Sequence, residues 1–313
     1  MGGDGRRRHR PPRTPRRRGH RALRGTGVST DPEPIDADTL RGWSLPAPGS
    51  SKKDRGDVLI IGGARKTPGA VALAGMSALR VGAGRLTLAV ADAVAPALAV
   101  AFPEAGVTGL PETRAGAVAS SAAWRLTDEI DADCIVIGPG LDDADETVEL
   151  LRNFIPMIGP EARVLLDAYA LGALTHDDSL GDSLTGRLAL TPNATEAGLL
   201  LGREIDCLGS DLLEIADRFG AVVSCQSLIA GPDGALWSIE AGGPGLGTSG
   251  SGDVLAGALA GLAARGTDLA EAACWATYLH ARAGDRLSER VGPLGFLARE
   301  LTVELPGLLA ELT

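Results

Sequence analysis

Aromatic side chains are scarce, at 3% of 313 residues, so the interior must be packed mainly by alanine, glycine, leucine and valine. Cysteine is scarcer still. Cys134, Cys207, Cys225 and Cys274 are scattered and form no CxxC pair. That spacing excludes a disulfide framework and a cysteine zinc site, and it predicts a reducing, cytoplasmic setting. The four histidines, His9, His20, His176 and His280, show no metal-ligand spacing, so no metal held by protein side chains is expected. No run of eighteen apolar residues occurs, which predicts no membrane-spanning helix. Positive charge is thin outside the N-terminus. Residues 1–27 hold ten arginines and one acid, and the remainder carries 20 basic against 39 acidic side chains, a balance of −19. A body this acidic is a poor partner for nucleic acid, and any anionic ligand must be gripped by a local site.

Residues 1–34 are rich in Arg, Pro and Gly and too poor in apolar surface to order themselves, so a disordered tail is expected there. A basic arm and a transit peptide are other readings of the same composition. Residues 35–54 form a lead-in, and a single α/β domain is expected over 35–313. Hydrophobic residues make up 44% of the chain, enough for a sizeable core. Val58-Leu-Ile-Ile61 is a buried strand running into Gly62-Gly63. A helix over 70–81 stops at Gly82-Ala-Gly84. A strand over 86–90 precedes a helix over 91–101. Cys134–Ile137 is a strand ending in Gly138-Pro-Gly140, followed by a helix over 143–154. Strands over 164–166 and 188–190 end in Asp167 and Thr191-Pro-Asn193, and a helix covers 194–201. Short strands at 221–224, 228–230 and 236–239 enclose the turn Pro232-Asp-Gly234. Helices then run from Gly250, over 269–287 and over 294–312. No internal repeat is visible. Strand–helix alternation of this kind predicts a mostly parallel sheet with helices on both faces. Ligands of such sheets bind beyond the carboxyl ends of the strands, where the polar and glycine-rich residues fall.

The most informative stretch is Gly245–Gly257, with five glycines in thirteen residues. It reads as a loop that becomes a helix. Val254, Leu255, Ala258, Leu259 and Leu262 form an apolar face. Ala256, Gly257, Ala260 and Gly261 form a face small enough for another element to lie close. Glycines tolerate the positive φ angles of a phosphate loop, and a helix N-terminus offers free N–H groups and partial positive charge. Together they make an anion site, and Asp253 sits inside its first turn. In a phosphoryl-transfer site Asp253 would accept the proton of an attacking hydroxyl. The same residues also suit a plain Gly-rich turn with Asp253 as a helix-start acid.

Several segments resemble, in order, the NAD(P)H-hydrate dehydratases, enzymes of the ribokinase-like, carbohydrate-kinase-related group. These are Val58–Ala64 with Pro68-Gly-Ala70, Arg80–Gly84, Pro103-Glu104, Ile137–Leu141, Leu166-Asp167, Leu190-Thr-Pro192 with Glu196, and Gly247–Gly257. The resemblance spans about residues 40–313 and implies a three-layer α/β/α fold with a mostly parallel central sheet. It implies that ADP or ATP drives dehydration of the damaged cofactors (6S)-NADHX and NADPHX back to NADH and NADPH. Asp253 would be the catalytic base. Ala70, Gly138, Gly140, Asp167, Asn193 and Asp253 would meet the hydrate. Ser224, Cys225, Gln226, Ser227, Ser249, Gly250, Ser251 and Gly252 would meet the nucleotide. Mg2+ would bridge phosphates with few protein ligands. A separate epimerase would work in the same pathway, and a homo-oligomer is expected. Three departures stand out. Ser224-Cys-Gln-Ser227 replaces a segment with a Lys-Gly pair, Asn193 replaces histidine, and Tyr169 replaces a second aspartate.

The residues also carry plainer readings. Cys225 suits an inert buried thiol, Asn193 a helix N-cap, Asp167 a helix-start acid, and Tyr278 and His280 packing positions. Two rival functions stand beside the dehydratase: a small-molecule kinase of the same fold acting on a vitamin-precursor alcohol, and a non-catalytic nucleotide-binding protein.

Overall fold

Strand β2 (Asp57–Ile61) sends alternate side chains to opposite sides, and both sides are buried. Val58 and Ile60 join one apolar cluster, while Leu59 and Ile61 join the other. A strand covered on both faces belongs in the interior of a parallel sheet. The computed structural model, which describes residues 31–127 and 129–313, places it there.

The other strands are β1 (Glu33–Pro34), β3 (Arg85–Ala91), β4 (Gly106–Leu110), β5 (Cys134–Ile137), β6 (Arg163–Leu166), β7 (Leu188–Leu190), β8 (Ala221–Cys225), β9 (Leu228–Ala230) and β10 (Leu236–Ser238). They form one ten-stranded sheet in the order β1-β10-β9-β8-β7-β6-β5-β2-β3-β4. Among the described residues only β9 runs against the rest, antiparallel to both β8 and β10. One face is covered by α2 (Pro68–Arg80), α8 (Ser251–Ala264), α9 (Leu269–Arg290) and α10 (Ala298–Leu312). The other is covered by α4 (Ala144–Phe154), α5 (Tyr169–His176), α6 (Ala194–Leu201) and α7 (Leu208–Phe219). Shorter helices α1 (Ala37–Gly42) and α3 (Ala95–Ala101) complete the set described here. These are the three layers that the ribokinase-like resemblance implies.

Local chemistry sets the ends of several elements. Pro68 opens α2, where a missing N–H costs nothing, and Gly82 at φ +100 ends the turn behind it. Asp143 caps α4 through Oδ1, which accepts from Glu146 N–H at 3.1 Å. Some expected boundaries move. The strand expected over 86–90 runs to Ala91, and α3 starts only at Ala95. The last helix begins at Ala298 rather than Leu294, where Glu300 Oε2 accepts from Leu297 N–H at 2.7 Å. β4, α1, α5 and α7 were not among the expected elements. The tail expected over 1–34 lies outside the described residues except for 31–34. There Glu33–Pro34 pair in parallel with β10, so the sheet reaches into that stretch.

The helix over the small residues packs as the glycine pattern requires. α8 lies against α2 so closely that a Cβ on Gly257 would sit 2.0 Å from the Ala74 carbonyl oxygen, and one on Gly261 2.5 Å from that of Ala78. Ser77 Oγ donates to Val254 O at 2.6 Å across the same contact. An alanine at 257 would gain about 1 kcal/mol of helix propensity. It would have to displace backbone, and overpacking costs about 1–3 kcal/mol. We therefore expect Gly257→Ala to lower stability by up to about 2 kcal/mol, read by chemical denaturation; a raised midpoint would contradict the contact.

Candidate functional site

The parallel strands bring their carboxyl ends to one edge of the sheet, and the N-terminus of α8 faces that edge. Between them lies a cavity of about 970 Å3. Its wall includes Asp167 after β6, Thr191 and Asn193 after β7, Gln226 and Ser227 after β8, and Gly250–Asp253 at the start of α8.

The start of α8 has the features of an anion site. Gly250 adopts φ +89, and a Cβ there would lie 2.5 Å from Leu73, so only glycine fits without displacing that side chain. Ser251 N–H donates to Thr248 O at 3.1 Å. Among the described residues no acceptor receives the N–H of Gly250, Gly252 or Asp253, and no side chain caps the helix. Those amides are available to a bound anion. Ser251 Oγ lies 2.8 Å from Nε2 of the buried His280, whose burial pushes its pKa down to about 4 and keeps the ring neutral.

Two carboxylates share the cavity. Burial raises Asp253 to about 6. Asp167, 6% exposed, is raised to about 7 by burial and then by the charge of Asp253, against a hydrogen bond from Thr191 Oγ1 to its Oδ1 at 2.9 Å. Asp253 ionises first, and its charge then helps hold the proton on Asp167. Just beyond Asp167 the chain passes through Ala168 at φ +50, a conformation that L residues seldom adopt.

The residues singled out by sequence separate into groups. Asp167, Asn193, Ser224, Gln226, Ser227, Gly250, Ser251, Gly252 and Asp253 all line the cavity. Ala70, Gly138 and Gly140 do not; Gly138 lies against the Asp167 backbone, and Gly140 against Thr67 and Ala70. A Cβ on Gly138 would sit 1.8 Å from the Asp167 carbonyl oxygen, and one on Gly140 2.4 Å from that of Thr67 and 3.1 Å from the Ala70 side chain. Their small size serves backbone crossings within the protein. Ser249 turns to a neighbouring apolar groove with Leu73, Met76 and Leu297. Cys225 is buried in the core, its thiol pushed up to about 11, as an inert thiol should be. Asn193 is the N-cap of α6: its Oδ1 accepts from Glu196 N–H at 2.9 Å, and its own N–H donates to Glu196 Oε2 at 2.8 Å.

Thr191, expected at the ligand edge as part of Thr191-Pro-Asn193, lines the cavity, whereas sequence reasoning missed Thr277 and His280 as parts of the site. Thr277, His280 and Ala281 sit one turn apart on α9 and face the cavity together. That i, i+3, i+4 stripe was a legible signal, although it also suited the packing role expected of His280. No lysine or arginine is among the described residues that line the cavity. Where a lysine was expected, Gln226 and Ser227 form the two-residue turn between β8 and β9, with Gln226 at φ +55. Among the described residues no three His, Cys, Asp or Glu side chains come together to hold a metal ion, and no helix is long and apolar enough to cross a membrane.

Two outcomes are expected. A Cβ on Gly252 meets no protein atom within 4 Å. Gly252→Ala should leave the thermal midpoint unchanged but weaken adenine-nucleotide binding at least about tenfold, read by calorimetry, because the methyl enters the anion space. Asp167 has a folded pKa raised above its unfolded value, so its contribution to stability is full below pH 4 and is lost as pH rises through about 7. Asp167→Asn should therefore be more stable than the parent at pH 8, by on the order of 2–4 kcal/mol, with the difference vanishing towards pH 4.

Comparison with known proteins identifies the family. The family model for NAD(P)H-hydrate dehydratase matches residues 58–307. The ADP-dependent (S)-NAD(P)H-hydrate dehydratase of Xanthomonas campestris pv. campestris is 44% identical over 285 residues, covering 89% of this chain and 96% of that protein. The bifunctional NAD(P)H-hydrate repair enzyme Nnr of Moorella thermoacetica is 37% identical over 265 residues, covering 82% of this chain; the chain spans about half, 50%, of that relative's length. Among solved structures, the ADP/ATP-dependent NAD(P)H-hydrate dehydratase of Bacillus subtilis, co-crystallised with ATP/Mg2+, superposes with a TM-score of 0.75 at 25% identity, covering 91% of this chain and all of that one. With a family model matching most of its length and a relative 44% identical over 285 residues, the chain belongs to the NAD(P)H-hydrate dehydratase family.

Proposed function

We propose that the protein uses ADP or ATP to dehydrate (6S)-NADHX or NADPHX, returning NADH or NADPH, and so repairs the cofactor. The observation that carries this reading is the Asp253 carboxylate in the first turn of α8, beside unpaired amides and facing a cavity roomy enough for two ligands. Its near relative from Xanthomonas is named for ADP and for the (S) hydrate, which supports both assignments.

The chemistry follows from these residues. Hydroxide is a poor leaving group and phosphate a good one. Asp253 accepts the proton of the hydrate hydroxyl as that oxygen attacks the terminal phosphorus. At about 6 its pKa leaves it mostly ionised at neutral pH yet basic enough to take the proton. The amides of Gly250, Gly252 and Asp253 stabilise charge on the phosphoryl group. Ser224, Gln226 and Ser227 line the nucleotide end of the cavity through backbone and short polar side chains. Asp167, Asn193 and Asp253 line the hydrate end, with Gly138 packed against the Asp167 backbone.

The donor set fits Mg2+ carried by the nucleotide. The titratable lining groups are Asp167, Glu196, Asp253 and a neutral His280, so a polyphosphate needs counter-charge that side chains do not provide. A Mg2+ ion arriving with the nucleotide would supply that charge, held mainly by the phosphates, and the Asp253 carboxylate on the cavity wall could accept hydrogen bonds from its waters. The four cysteines are all free thiols, which supports a cytoplasmic protein. Exposed Leu297, just before α10, and Val303 on it favour a homo-oligomer. Hydration creates two hands at the carbon bearing the hydroxyl, so a site specific for one hand calls for a separate epimerase.

Activity shared across the relatives speaks against the vitamin-precursor kinase, and an intact Asp253 against a non-catalytic binder. The test is incubation with NADHX plus ADP or ATP, following the return of dihydronicotinamide absorbance. Asp253→Asn should lose about 10^2–10^4-fold in kcat, with a thermal midpoint at neutral pH no lower than the parent's, because it removes a desolvated charge. Full activity in that variant, or a stable phosphorylated hydrate as the final product of the parent, would overturn the proposal.

A further inference from the structure

The dehydratase reading leaves one proton without an acceptor. In a dihydronicotinamide the ring nitrogen feeds electrons into the adjacent C5=C6 bond. Hydration therefore puts the proton on C5 and the hydroxyl on C6, next to the nitrogen. Reversal must remove both. Asp253 takes the hydroxyl proton during phosphoryl transfer, and something else must take the proton from C5.

The cavity's titratable groups narrow the choice. Glu196 accepts from Asn193 N–H at 2.8 Å and completes a helix cap. His280 is held on Ser251 at 2.8 Å within the anion loop. Cys225 lies in the core and not on the cavity wall. Asp167 remains. Its Oδ1 accepts from Thr191 Oγ1 at 2.9 Å, while its other oxygen has no side-chain partner. It is nine-tenths buried and on the cavity wall, at the end of β6. Its backbone is clamped on one side by Gly138 and on the other by the strained Ala168.

We propose that Asp167 is the second proton acceptor of the reaction, taking the C5 proton of the phosphorylated hydrate as phosphate leaves C6. This rests on the dehydratase reading. The electron count closes. The hydrate oxygen forms a bond to the terminal phosphorus, the nucleotide leaves with the old P–O pair, and Asp253 holds the hydroxyl proton. The ring nitrogen's lone pair then forms N1=C6 as the C6–O bond breaks, its pair leaving with phosphate. The C5–H pair becomes the C5=C6 bond, the N1=C6 pair returns to nitrogen, and the proton goes to Asp167. The departing phosphate recovers the proton from Asp253, so one net proton, that on Asp167, goes to solvent. An acid held near 7 by burial, by Asp253 on α8 and by Glu196 on α6 is suited to accept and release a proton at neutral pH.

The test separates the two half-reactions. With NADHX and ADP or ATP, Asp167→Asn should form the phosphorylated hydrate, seen as a mass gain of one phosphoryl group and a burst of about one nucleotide per site. Return of dihydronicotinamide absorbance should fall at least about a hundredfold. The parent should show no such intermediate. Nucleotide binding by the variant, measured by calorimetry, reports that its site is folded. A second variant, Thr191→Val, keeps the carboxylate but removes a bond that lowers its pKa, so the acid limb of kcat against pH should move to higher pH. Wild-type elimination rates in Asp167→Asn, or loss of the nucleotide burst and of the phosphorylated hydrate along with elimination, would overturn the assignment while leaving the dehydratase intact. A parent enzyme inert towards the hydrate would overturn the dehydratase reading and this one with it.

Discussion

The close crossing of α2 and α8 sets where everything else can go. Gly257 and Gly261 bring the α8 backbone onto the carbonyls of Ala74 and Ala78, and Ser77 ties the two helices together. A helix that cannot rotate or slide presents its N-terminus at one place, opposite the carboxyl ends of β6, β7 and β8. The unpaired amides of Gly250, Gly252 and Asp253 thus face the cavity because of contacts several residues further along the same helix. The apolar interior is built from small and aliphatic side chains, and this is why backbone-to-backbone approaches carry so much of its specificity. Gly138 against Asp167 and Gly140 against Thr67 repeat the device at the sheet edge.

The second constraint is electrostatic. A site that handles a nucleotide beside a dinucleotide would be expected to be basic, yet the cavity wall carries carboxylates and a neutral imidazole. Backbone dipoles at a helix start can stabilise phosphate without a cation. They also leave the carboxylates unpaired, so burial raises both Asp253 and Asp167. A lysine at the β8–β9 turn would have lowered those values by its charge. Gln226 and Ser227, which form that turn, bring no such charge. The cost is stability at high pH, where two desolvated acids are both ionised.

Much of this was legible in the residue order. Strands such as Cys134–Ile137 and Leu188–Leu190 coincide with the apolar runs that announced them, and the helix over 194–201 with its Asn193 start. The small face of α8 foretold a close neighbour. Other elements were hidden for physical reasons. β4 reads Gly-Val-Thr-Gly-Leu, weak in propensity, and is ordered by its ladder with β3. β1 is two residues of a Pro-containing segment and exists only because β10 offers an edge. In α7, Leu212, Ile215, Ala216 and Phe219 do follow helical spacing, with Gly220 as its stop, so that signal was present and overlooked.

Local order alone determined that a glycine-rich loop opens a helix carrying Asp253, that Asp167 and Thr191 end buried strands, and that the sheet is mainly parallel. These follow from periodicity, from capping chemistry and from the backbone freedom of glycine, all of which act between near neighbours in the chain. Only the tertiary structure decided that Asp167 and Asp253 share one wall, that His280 reaches Ser251 and that Cys225 turns away into the core. It also decided that Gly138 lies against the Asp167 backbone and Gly140 against Thr67. Those outcomes depend on how far apart packed layers settle and which way a strand's side chains alternate. Both are fixed by contacts between segments tens of residues apart, which no local pattern encodes.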